Sequence, residues 1–227
     1  MTYLKTIQEK ARALNLTHSS TSGWYALLVD GDQFQYGFTA DAGTDTISAS
    51  SSHNFVNGSR VTVSNVGGGL PGGLFASIQY RVINASTETF KLCLESTYNY
   101  ATKTGTPINI TGGGSGTHAV TEQPLGIEDD FDVWVKHEVS SYFGAGRQNL
   151  TMPAAIKDYA SNRAYVGPVN FTFLPTGGTI VYRYAAIISG GTGTRGDATG
   201  LLAGFEDNGL TTSVTTSGKT FQYTAFL

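Results

Sequence analysis

The sequence predicts a mainly β protein: an antiparallel β-sandwich or barrel host domain, a small barrel-like β module inserted into it, and a short N-terminal helix. Three observations point there. Apolar residues recur in short runs of alternating period, glycine-rich turns separate those runs, and charged residues make up only 14% of the 227 positions, against about a quarter in ordinary globular domains.

The helix candidate spans residues 3–14. Leu4, Ile7, Ala11 and Leu14 fall at i, i+3, i+7 and i+10, one apolar stripe with Lys, Glu and Arg opposite. A helix this short needs a surface to dock on. Next comes "WYALLVDGDQFQYGF". Its two apolar runs flank Asp30-Gly31-Asp32, and Asp-Gly between such runs predicts a hairpin. Residues 40–58, "ADAGTDTISASSSHNFVNG", are small, polar and linker-like. Insertions are tolerated at such places.

The pattern then tightens. Val61, Val63 and Asn65 share one face of "RVTVSNV", Ile78, Tyr80 and Val82 one face of "IQYRVINA", and Phe90, Leu92 and Leu94 one face of "FKLCL". "GGGLPGG" cannot hold a regular element, because its glycines cost entropy and Pro71 lacks a backbone donor. "PINITGGGSGTHAV" predicts two more short strands around a glycine turn.

From Glu122 the character changes again. "FDVWVKHEV" reads as a strand with Phe131, Val133 and Val135 on one face, and "MPAAIKDYA" as a short helical turn led by Pro153. "VNFTFL", "TIVYRYAAII", "GLLAGFE", "TTSVTT" and "TFQYTAFL" read as strands, spaced as in an antiparallel domain rather than in βαβ units. The expected layout is a host built from residues 1–44 and 122–227 around an inserted module at 45–121.

Composition narrows the function. A net charge of -3 with scattered basic residues implies no nucleic-acid or anionic-membrane partner. No apolar run approaches the roughly 20 residues that span a bilayer. The N-terminus shows neither the apolar core nor the cleavage site of a secretory signal, so synthesis and use without conventional secretion are expected. The six Asn-x-Ser/Thr triplets then read as turn composition. The lone cysteine, Cys93, excludes an intrachain disulfide or a multi-cysteine zinc site and reads as core filling.

Chemically suggestive residues are few. His18, His53, His118 and His137 are far apart, and His137-Glu138 lacks the H-E-x-x-H continuation. His53 and His118 read as turn-stabilising. The acidic cluster Glu128-Asp129-Asp130 with Asp132 offers paired carboxylates or a Ca²⁺ site, but consecutive acids entering a strand point different ways and read as a solvated loop. Asp30-x-Asp32 reads as a turn, since the twelfth position of a Ca²⁺ loop would be Asp41 rather than Glu. "GGTGTRGDATG" lacks the G-K-[ST] ending of a phosphate loop and reads as a flexible tip or intersubunit contact. Trp24, Tyr25, Phe34, Tyr36, Phe38, Tyr80, Trp134, Tyr182 and Tyr184 offer a sugar-stacking face or a core, and period-2 strands favour the core.

One stretch carries a resemblance. "HNFVNGSRVTVSNVGGGLPGGLFASIQYRVINASTETFKLCL...GTPINITGGGSGTHAV", residues 53–120, resembles a small β module common in structural proteins of tailed bacteriophages. The matching features are His53 to Gly58, Leu70-Pro71 before Gly73-Leu74, Tyr80-x-Val82, Phe90-x-Leu92 and Gly114-x-Gly116-Thr117-His118. "YRYAAIISGGTGTRGDATGLLAGFED" also resembles phage virion proteins. Cys93 and the longer "ESTYNYATKTG" depart from the commoner pattern.

The resemblance implies a virion component of the capsid, neck or tail, made in the host bacterial cytoplasm, without fixing which. With the low charge and no convergent polar site, the expectation is a capsid- or neck-attached decoration (cement) protein that is no enzyme, with no cofactor or metal. Its expected partners are other capsid, neck or tail proteins and copies of itself, as a trimer or larger ring. The expected contact residues are Leu4, Ile7, Ala11, Leu14, Leu70, Pro71, Arg195 and Asp197. The alternative is a tail-associated receptor- or glycan-binding adhesin.

Overall fold

Alternating apolar runs separated by glycine turns give a mainly β chain of antiparallel strands in the computed structural model. It describes residues 23–126, 128–161 and 163–226. The expected helix over residues 3–14 lies outside them. In chain order the strands are β1 (Trp24–Val29), β2 (Gln35–Asp41), β3 (Thr46–Ala49), β4 (Arg60–Val66), β5 (Tyr80–Ile83), β6 (Thr89–Leu94) and β7 (Thr117–Glu122). After a short helical turn at Phe131–Trp134 come β8 (Gln148–Leu150), β9 (Ile156–Asp158), β10 (Arg163–Phe173), β11 (Ile180–Ser189), β12 (Leu201–Val214) and β13 (Lys219–Phe226). Among the described residues no helix is long and apolar enough to cross a membrane.

The chain divides into two units. One is the continuous stretch Gly31–Lys136, and the other combines residues up to Asp30 with those from His137 onward. These junctions differ from the expected 44/45 and 121/122 because β2 belongs to the middle unit. It pairs with β3 on one side and with β7 on the other, Gln35 opposite Thr121 and Phe38 opposite His118.

That second pairing closes a six-stranded antiparallel barrel in the order β2-β3-β6-β5-β4-β7. Its interior is filled rather than hollow. Phe38, Ile47, Val61, Val63, Tyr80, Val82, Phe90, Leu92 and Val120 all point inward and are buried, as alternation on closed strands requires. Cys93 faces the other way and is buried with Ile83 and Tyr98.

The glycine-rich runs between β4 and β5 and between β6 and β7 lie against each other. The Gly72 N–H donates to the Gly112 carbonyl at 3.1 Å, the Thr111 N–H to Gly72 at 3.0 Å and the Ser115 N–H to Gly69 at 2.9 Å. Backbone lies directly on backbone here. A Cβ at Gly116, whose φ is +84°, would collide with the Val66 carbonyl. Pro71 is buried in this seam and Leu70 packs on the barrel core.

The other unit holds two antiparallel sheets, β12-β11-β1-β8 and β13-β10-β9. β1 lies inside its sheet, with Tyr25 opposite Ile188 on β11 and Asn149 on β8. Its unbroken apolar run follows from burial on both faces. Aromatic rings join the sheets: Phe221 of β13 meets Tyr182 of β11 edge-on at 5.8 Å and stacks on Phe171 at 5.4 Å. Tyr142 stacks on Phe173 at 5.8 Å.

Several local expectations are corrected. Asp30-Gly31-Asp32 makes no hairpin, because β1 and β2 find partners in different units and the chain crosses between units there. Chain leaves and re-enters side by side: the Asp30 N–H donates to the His137 carbonyl at 2.9 Å and the Val139 N–H to Leu28 at 3.1 Å. Residues 131–139 are not a strand. Phe131, Val133 and Trp134 are buried together on one helical turn, with the Trp134 indole N–H on the Gly126 carbonyl at 3.3 Å.

"MPAAIKDYA" is extended rather than helical, since β9 within it pairs with β10. Of the two strands expected in "PINITGGGSGTHAV" only β7 forms. The rest is held by single bridges, Cys93 to Pro107 and Gly72 to Gly112. "GLLAGFE" and "TTSVTT" merge into the 14-residue β12, which follows β11 with two register shifts.

Phe90 touches Phe55 and His53 at the barrel's centre. Phe90→Ala is expected to cost about 3–5 kcal/mol of stability, as large-to-small core changes do. Denaturant unfolding followed by the barrel's own hydrogen-exchange protection checks it.

Candidate interaction site

Strand pairing sets Arg60 of β4 directly opposite Arg81 of β5. Like charges facing each other destabilise a sheet, and both side chains are buried, which adds a desolvation cost. A carboxylate from far along the chain resolves both problems. Asp129, 5% exposed, accepts from Arg60 Nε at 2.8 Å and Nη2 at 2.7 Å, and from Arg81 Nη1 at 3.4 Å.

Glu95 takes the Arg81 Nε at 2.6 Å and Glu128 the Arg60 Nη1 at 2.5 Å. Burial opposes both guanidinium charges, but Asp129 at Arg60 and Glu95 at Arg81 outweigh it and raise both pKa values. The rings of Tyr98 and Tyr100 flank Arg81 at 5.5 Å and 5.2 Å. Lys103 bridges the remaining acids, Asp132 at 2.6 Å and Asp130 at 3.6 Å. The acidic cluster is therefore only partly the solvated loop expected: Asp129 is buried, Glu128 stays exposed, Asp130 and Asp132 are half-buried, and each member answers a cation of the same unit.

A second hub lies in the other unit. Glu138 and Arg147 have side chains 1% and 0% exposed and meet at 2.8 Å and 2.7 Å in a two-pronged pair. The Tyr142 hydroxyl donates to the same carboxylate at 2.8 Å, and so does the Gly196 N–H at 2.7 Å. Burial, and then the Glu138 charge, hold the Tyr142 phenol well above its ordinary pKa. Arg147 also donates to the carbonyls of Thr192 and Asp197, at 3.1 Å and 3.0 Å.

The segment from 190 to 200 is thus no free tip. Arg195 Nε donates to the Val139 carbonyl at 2.6 Å. The Asp197 carboxylate accepts from the Thr192 hydroxyl at 2.5 Å and the Thr199 N–H at 2.8 Å. Those bonds pull its pKa down to about 2.

The histidines do not converge. His53 packs on Phe55 and Phe90, and burial lowers its pKa. His118 sits between Asn65 at 2.9 Å and the Gly113 carbonyl at 3.2 Å, and His137 lies 3.7 Å from Asp30. His18 is outside the described residues. Among those residues no group of three His, Cys, Asp or Glu side chains is placed to hold a metal ion. Trp24, Phe38, Tyr80, Trp134, Tyr182 and Tyr184 are buried, so the aromatic set works chiefly as core.

Of the expected contact residues, Leu4, Ile7, Ala11 and Leu14 lie outside the described residues. Leu70 and Pro71 serve the barrel seam, and Arg195 and Asp197 serve the second hub. Sequence reading missed several exposed apolar residues. Leu201 and Leu210 of β12 are 73% and 80% exposed, Tyr159 is 70% exposed, and Phe226 of β13 is 56% exposed. Between β12 and β13, edge strands of their two sheets, runs a groove of about 450 Å³ floored by Phe171, Ala185, Ile187, Phe205, Phe221 and Tyr223. A second hollow of about 470 Å³ lies on the barrel beside Gly37, Ser48, Ser50, Gly114 and Ser115.

No family model, curated protein or solved structure matches the chain. Fold and site together define an all-β protein of two units, a closed barrel and a two-sheet unit, whose buried charges are committed to holding the chain in place.

Arg147→Met leaves Glu138 buried and unpaired, so a loss of about 3–5 kcal/mol is expected. Hydrogen exchange should rise first in residues 192–199. The Asp197 carboxylate, lowered in the folded state, stabilises the loop above the unfolded carboxylate pKa of about 3.9. That contribution is lost as pH falls through about 2. Carboxyl NMR titration of Asp197 should give a midpoint near that value.

Proposed function

We propose that the chain is a structural component of a tailed-phage virion, a capsid- or neck-attached decoration protein that acts through symmetric protein–protein contacts. The observation that carries this reading is where the two kinds of side chain are used. Arg60, Arg81, Arg147, Asp129 and Glu138 are turned inward and neutralised, while Leu201, Leu210, Tyr159 and Phe226 are left facing out. Leu201 and Leu210 lie on β12 and Phe226 on β13, edge strands of their sheets, and exposed apolar side chains there support a contact surface.

The phage-module pattern at 53–120 supports the same reading. Contacts of this kind need no catalytic step. Modest interactions repeated by symmetry on a particle add avidity that a single copy lacks.

Two measurements test the reading: native mass spectrometry of the purified protein, and mass-spectrometric composition of purified particles. The expected outcome is a closed homo-oligomer, or binding to assembled particles in a fixed copy number. A monomer absent from purified particles would overturn it.

A further inference from the structure

We propose that Lys103 and Asp132 are joined by an isopeptide bond that the folded chain forms on itself, with Asp130 carrying the protons. The inference stands apart from the virion reading and rests on side chains of the barrel unit alone.

The loop of Lys103 is closed on itself. The Asn99 N–H donates to the Thr104 carbonyl at 2.7 Å, and the Asn99 side-chain oxygen accepts from the N–H groups of Ala101 and Thr102 at 3.0 Å and 3.2 Å. Lys103 stands in it at a φ of +54°, a left-handed conformation that residues other than glycine take up only where their surroundings impose it. Its amine lies 2.6 Å from Asp132 Oδ2 and 3.6 Å from Asp130 Oδ2. Both acids are positioned by the Phe131–Trp134 turn, where Phe131, Val133 and Trp134 are buried. Nucleophile, acceptor and proton carrier are thus together before any reaction. Such an arrangement gives well-oriented groups effective concentrations of about 10⁵ M or more.

The surroundings favour a neutral product. All three side chains are half-buried. Asp132 Oδ1 is buried and finds no hydrogen-bond partner among the described residues, which penalises an ionised carboxylate more than an amide. Tyr98 is 8% exposed, and its hydroxyl likewise has no partner there. That hydroxyl and Asp130 Oδ2 converge over Gly58, 2.8 Å and 3.7 Å from where a Cβ would stand. Burial first, and then the Asp130 charge, hold the phenol above its ordinary pKa, so it remains a donor beside the acids. Condensation replaces the ammonium and the carboxylate with one uncharged amide and so removes the desolvation penalty of both.

Asp130 takes a proton from the Lys103 ammonium and passes it to Asp132 Oδ2. The freed Nζ lone pair attacks Asp132 Cγ, forming the C–N bond and moving the carbonyl electron pair onto Oδ1. A second proton follows the same route from Nζ to Oδ2. The pair on Oδ1 then re-forms the carbonyl, the Cγ–Oδ2 bond breaks, and Oδ2 leaves as water. Asp130 ends as it began, and no oxidant or further reactant is consumed.

Peptide mapping of the purified full chain is expected to show a branched peptide joining Lys103 to Asp132, lighter by one water than its two arms. The intact mass should fall short of the sequence mass by the same water. In Lys103→Arg, which keeps the charge, both signatures are expected to vanish. In Asp130→Asn, linking after synthesis is expected to slow by about 10²-fold or more. A folded parent chain without the branched peptide would overturn the proposal, and so would a missing water that persists in Lys103→Arg. A branch at Asp130 would overturn the choice of acceptor, and linking at the parent's rate in Asp130→Asn would overturn the role of Asp130.

Discussion

Buried guanidinium groups govern this structure. Removing a charge from water costs several kcal/mol unless a partner with good geometry meets it. Arg60, Arg81 and Arg147 are all buried, and the two buried carboxylates that answer Arg60 and Arg147, Asp129 and Glu138, lie only nine positions apart in the sequence. Between those two acids the chain passes from one unit to the other. Asp129 ties the returning segment to the barrel before the crossing, and Glu138 ties it to the two-sheet unit after it. Each acid secures the segment within its own unit. From Glu138 the bonding extends to Gly196, so a glycine-rich loop far along the chain is ordered by the same carboxylate.

Much of the β architecture is legible in the sequence because alternation is a local signal. Val61 and Val63, Tyr80 and Val82, and Phe90 and Leu92 each occupy the barrel interior as their spacing predicts. Residues 131–139 are misread because their apolar alternation also contains the Phe131–Trp134 spacing of a helical turn, and burial of both rings decides the outcome. Asp30-Gly31 looks like a hairpin because turn chemistry is local, whereas the choice of strand partner is not.

The ion-pair hubs show the limit most clearly. Nothing beside Asp129 marks it as buried: Arg60 and Arg81 are 69 and 48 residues away and become neighbours only when β4 pairs with β5. Carboxylates in a run look solvated until their cations are located in space. The exposed apolar edge was missed for a related reason. Leu201 and Leu210 fit a strand pattern equally well on either face, and only the order of strands reveals that β12 is the outer strand of its sheet among the described residues. A closed barrel has no such edge, so among the described residues the open sheet edges belong to the other unit.

The paired crossing at Asp30 and His137 has a further consequence. Departure and return are one hydrogen bond apart, and Val29 bridges Glu138 immediately inside. The end of β1 and the returning chain are thus held side by side whatever is strung between them. Over evolutionary time such a gap works as a socket. A different cargo of similar end-to-end span can be spliced in without shifting the register of β1. The scaffold and its passenger are then free to diversify at separate rates.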